Sequence, residues 1–99
     1  MTHFYEFTNN VPNARRKMNA EFVMRMKKAC CRHHCHVETD LNNDGKDIAY
    51  VQFDAANDAL KHDLAALCLN YGFGKEYVTM VTDADTNKCT LYVGLNKPL

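Results

Sequence analysis

The sequence predicts an α+β fold: one antiparallel sheet with two helices packed on one face. Three observations lead there. The hydrophobic period switches between two and 3.6 residues along the chain, so strands and helices are interleaved. Asn-, Asp- and Gly-rich breaks fall where the period changes. The 99 residues, 46% of them hydrophobic, suit a single domain over 1–99 with one core.

Residues 3–8, HFYEFT, alternate aromatic and polar side chains and read as a strand, ended by NNVPN. From about Ala14 to Cys31 the pattern is helical. Met18, Phe22, Met26, Ala29 and Cys30 form its apolar stripe, with Lys17, Glu21, Arg25, Lys28 and Arg32 opposite. Residues 35–41, CHVETDL, alternate again, placing Cys35, Val37 and Leu41 on one side and His36, Glu38 and Asp40 on the other. NNDG is a turn signal, and DIAYVQF follows as the clearest strand. Asp54 is the expected N-cap of a second helix, Ala55 to about Tyr71, whose apolar face is Ala56, Leu60, Leu64, Leu67, Cys68 and Tyr71. Gly72 ends it. EYVTMVT, DADTNK and CTLYVGL then form a hairpin.

The resulting order is β-α-β-β-α-β-β. Its first six elements are those of a ferredoxin-like split βαβ unit, with the fifth strand expected as an edge extension. That strand, CTLYVGL, is also where two copies would pair as a homodimer.

The most chemical stretch is CCRHHCH, Cys30 to His36. Zinc requires four ligands, usually in two pairs from separate segments, and no second pair follows here. Cys30 closes the helical stripe and Cys35 begins the strand's alternation, so both read as core residues. Arg32, His33 and His34 then supply cationic side chains that cap the helix C-terminus. No metal, cofactor or catalytic residue is assigned from the sequence. There is no nucleophile–base set, P-loop or dinucleotide turn. DLNNDG matches the opening of an EF-hand loop, but position 8 is Asp47 and position 12 is Val51, where an apolar residue and a bidentate Glu belong.

KDIAYVQF, residues 46–53, resembles the signature octamer of the RNA-recognition motif. Lys46, Ala49, Val51 and Phe53 match, Tyr50 is close to the family's Phe, and Asp47 and Ile48 depart from it. The resemblance implies an open sheet face that stacks bases on Phe4 and Tyr50, with Gln52 beside them. That face would also carry Glu6, Glu38 and Asp40, which repel phosphate, and no Lys or Arg. Small metal-dependent nucleases of ferredoxin-like build place an acid at the end of the first strand; Thr8, Asn9 and Asn10 stand there instead.

Charge is balanced, 12 basic against 12 acidic residues, which excludes a globally basic nucleic-acid coat and an acidic DNA mimic. The distribution is uneven. Arg15, Arg16, Lys17, Arg25, Lys27, Lys28 and Arg32 share residues 15–32 with one acid, Glu21, whereas residues 38–63 hold seven acids against Lys46 and Lys61. The basic helix should lie on the opposite side of the sheet from Tyr50, so the two surfaces are not expected to form one groove.

Five cysteines, no signal peptide and no run of 18 apolar residues fit a cytoplasmic protein with no membrane partner. These features point to a non-catalytic interaction protein. Its partner would be a larger protein or ribonucleoprotein complex, bound through Arg15, Arg16, Lys17, Arg25, Lys28 and Arg32 and inhibited or regulated by the binding. Virus-encoded inhibitors of host machinery are often built this way. The alternatives are an RNA-recognition-like or basic-helix nucleic-acid module, and a small metal-binding protein or nuclease using residues 30–40.

Overall fold

The computed structural model describes residues 13–41 and 47–99, giving the backbone alone for 13–16 and 41. The expected strand 3–8 with Phe4 and Glu6, the NNDG turn, Lys46, and the side chains of Arg15 and Arg16 lie outside the described residues. The elements are helix α1 (Asn13–Cys31), strands β1 (Val37–Leu41) and β2 (Asp47–Asp54), helix α2 (Asp58–Asn70), a single 3-10 turn (Lys75–Tyr77), and strands β3 (Val78–Asp83) and β4 (Lys88–Gly94).

The four strands pair antiparallel in the order β1-β2-β4-β3. A ferredoxin-like unit would place segment 3–8 beside β2. Here β1 and β4 occupy the two sides of β2, so the last strand holds the central position. The expected ferredoxin-like strand order is therefore not the one seen, and CTLYVGL is not an edge. The reason lies in its inward residues. Cys89, Leu91 and Val93 of β4 face Phe53, Val51 and Ala49 of β2, and all six are buried. The inward positions of β3 are Val78, Met80 and Thr82, a triplet that ends on a polar residue and is less suited to a centre. Among the described residues β3 is an edge, exposed along most of its length.

Alternation decides which face of the sheet is covered. Ala49, Val51 and Phe53 of β2 and Cys89, Leu91 and Val93 of β4 join Phe22, Val23, Met26 and Cys30 of α1 and Leu60, Leu64 and Cys68 of α2 in one core. The aromatic part of that core lies at the exit of α2. The Phe22 ring is 5.5 Å from Tyr71 and 4.6 Å from Phe73. Asn19, also buried, donates Nδ2–H to the Leu95 carbonyl at 2.9 Å and ties α1 to the strand end. Met18, placed in the apolar stripe by its spacing, is exposed; Val23 takes the buried position instead.

α2 starts later than its sequence suggests. Asn57, not Asp54, is its N-cap: Asn57 Oδ1 accepts from the Leu60 N–H at 3.1 Å. Asp54 ends β2, and its carboxylate accepts from the Ala56 N–H at 2.9 Å, making the turn that delays the helix. Ala56 falls in that turn and is exposed. The C-terminus follows expectation. Gly72, at φ 78°, closes it, with the Gly72 N–H bonded to Leu69 O and the Phe73 N–H to Cys68 O.

Candidate partner-binding surfaces

α1 turns Lys17, Glu21, Met24, Arg25, Lys27, Lys28, Cys31 and Arg32 to solvent. Steps of three and four residues hold this set on one side of the helix, and from Lys17 to Arg32 it runs about 22 Å at 1.5 Å per residue. Glu21, the one acid of the set, is already engaged. It lies 3.7 Å from Arg25 Nε and accepts the Tyr71 hydroxyl, and that hydrogen bond raises the pKa of the Tyr71 phenol. What remains toward solvent is cationic, with Met24, 62% exposed, in its middle.

The junction after α1 is built by the backbone. N–H groups of His33 and Cys35 both bond to Cys30 O, at 3.0 and 3.1 Å, and the His34 N–H bonds to Cys31 O at 3.2 Å. This is a Schellman closure in which His34 occupies the left-handed position normally given to glycine, at φ 58°. The expectation that Arg32, His33 and His34 cap the helix with their side chains is therefore corrected: the capping groups are amides, and Arg32 extends into solvent. His33 has a different task. Its Nδ1 accepts from Asn57 Nδ2 at 3.1 Å, joining the end of α1 to the cap of α2.

A histidine at positive φ costs on the order of 1 kcal/mol. His34→Gly should therefore raise stability by about 1 kcal/mol. The check is an upward shift of the urea midpoint at unchanged slope.

Two shallow grooves meet at this junction. One, of about 590 Å³, lies against Lys27, Cys31 and Val37 on the helix side. The other, of about 410 Å³, lies over Tyr50, Gln52, Thr90 and Tyr92 on the open face of the sheet. Both are lined by His34, Cys35, His36 and Glu38. The segment His34–His36 and Glu38 of β1 thus border both the helix side and the sheet face.

The open face also carries a residue that sequence reasoning passed over. Tyr92 lies in register with Tyr50, their ring centroids 5.9 Å apart. The alternation of CTLYVGL marks Tyr92 as outward, but only the pairing of β4 with β2 places it beside Tyr50. Lys88 also reaches the rim of this face, in register with Asp54 and Asp83, so the expected lack of any cation is corrected. Of the residues expected on this face, Tyr50 and Gln52 are together, with Glu38 in register with Tyr50.

The cysteines divide by burial. Cys30, Cys68 and Cys89 are buried, Cys31 is exposed, and Cys35 is intermediate. Burial raises the Cys30 thiol from 9.0 to about 11, with a further contribution from Cys35, and burial raises Cys68 to about 11. Among the described residues no three His, Cys, Asp or Glu side chains are placed to hold a metal ion. Asp47–Asp54 is strand where an EF-hand loop would have to continue. Among the described residues no helix is long and apolar enough to cross a membrane.

Comparison of the chain with family models, with curated proteins and with solved structures gives no match.

Proposed function

We propose that this chain is a small non-catalytic interaction protein that binds a larger protein or ribonucleoprotein complex through the outer face of α1, and inhibits or regulates it by doing so. The observation that carries this reading is the cationic face itself. Lys17, Arg25, Lys27, Lys28 and Arg32 are exposed, and Glu21 is occupied by Arg25 and Tyr71. A dense cationic patch steers acidic partners. The exposed Met24 at its centre favours a protein, which can offer an apolar contact ringed by carboxylates, over a bare phosphate backbone. Free thiols fit a reducing cytosol as the place of action.

The test is affinity capture from the native host, after nuclease treatment, with wild type and an Arg25→Glu, Lys28→Glu, Arg32→Glu variant. Wild type should retain a defined complex that the variant loses. Equal capture by both removes α1 as the binding face.

The second reading, nucleic-acid binding over the sheet, draws on the Tyr50–Tyr92 pair, since stacking contributes about 1–3 kcal/mol per base. Glu38, Asp54 and Asp83 around that face oppose phosphate. Loss of all capture on nuclease treatment would favour this reading instead.

A further inference from the structure

We infer that β3 is a self-association edge, and that two copies of this chain pair β3 with β3 antiparallel into one continuous eight-stranded sheet. The inference is independent of the α1 reading. It rests on a contrast between β1 and β3, the two edges of the sheet that the described residues form.

Edge strands that must stay single are normally guarded by charge, proline or a bulge. β1 is guarded. A two-fold pairing of β1 centred on Thr39 would set Glu38 opposite Asp40 of the other copy, at both ends of the pairing. β3 has no such guard. Val78, Thr79, Met80, Val81 and Thr82 carry no charge, and the strand contains no proline. A two-fold pairing centred on Met80 sets Thr79 opposite Val81 and Val78 opposite Thr82, all neutral and all strand-forming residues. Asp83 would then face Tyr77, so no like charges meet.

Both faces of β3 also hold apolar side chains that the described residues cover only in part. Met80, on the side where the helices lie, is 40% exposed, and Val81, on the open side, is 51% exposed. The core takes in the inward residues of β2 and β4 but, of β3, only Val78, which is partly buried. Addition of a second β3 supplies partners for the outward backbone N–H and C=O groups and covers both residues at once. An isologous two-fold contact closes on itself, so pairing ends at the dimer.

The experiment is sedimentation equilibrium of the full chain over a range of concentrations. Reductant is kept present because Cys31 is exposed and could cross-link copies. Wild type should be a reversible dimer. Val81→Lys, on an exposed position that leaves the fold intact by circular dichroism, should weaken it by about tenfold or more. An equimolar mixture of Val81→Lys and Val81→Glu chains should restore the dimer, because in the pairing centred on Met80 the two positions lie diagonally across one face, within reach of long side chains. A wild-type monomer throughout overturns the inference. So does a dimer that Val81→Lys and Met80→Glu both leave unchanged.

Discussion

Phe22→Ala should lower the free energy of unfolding by about 3–5 kcal/mol, the largest effect expected of any single substitution in this chain. Phe22 is fully buried, and its ring joins three parts of the molecule: α1, Tyr71 at the end of α2, and Phe73 in the loop beyond. Truncation leaves a cavity that three elements would have to close together, and Gly72 fixes the path of the loop through its left-handed turn. Domains of this size are stable by about 5–15 kcal/mol, so the variant should be partly unfolded at 37 °C. Urea denaturation followed by circular dichroism measures the loss. A cost below about 1 kcal/mol would mean the aromatic cluster is not the centre of the core.

The second large effect is alkaline. Cys30 and Cys68 both hold their protons more tightly when folded, with pKa values raised from 9.0 to about 11. A raised value in the native state means that stability is fully present below pH 9 and is lost as the pH rises toward 11. Each shift is worth on the order of a few kcal/mol, and the two act in the same direction. The urea midpoint should fall steeply across this window in reducing buffer. The Cys30→Ala, Cys68→Ala variant starts from a lower midpoint and should decline much less. Equal slopes for the two proteins would show that lysine and tyrosine titration causes the fall.

These residues also show how far the sequence could be read. Phe22, Met26, Cys30, Leu60, Leu64 and Cys68 follow from helical spacing alone, and all are buried. The exposed cations of α1 follow from the same spacing. Strand identities came from alternation, and so did the outward positions of Tyr50 and Gln52. Strand order did not. VTMVT and CTLYVG alternate alike, and the difference between edge and centre is only the inward triplet Val-Met-Thr against Cys-Leu-Val. That one ambiguity hid the Tyr50–Tyr92 pair and the place of β3 at the margin of the sheet formed by the described residues. At CCRHHCH the residue types suggested metal or cationic capping, whereas the turn is closed by amides. His34 holds its left-handed position there through backbone bonds that composition does not encode. The Asp54 cap was lost to a local competitor, since the same carboxylate makes a tighter turn with Ala56.

Partner binding through α1 is the central proposal. The most direct measurement is the affinity of this chain for its captured partner as a function of ionic strength, for wild type and for the Arg25→Glu, Lys28→Glu, Arg32→Glu variant. Wild-type affinity should fall as salt screens the cations over about 10 Å, and the variant should bind at least about tenfold more weakly at low salt. Affinity that is flat in salt, and equal for the two proteins, would contradict it.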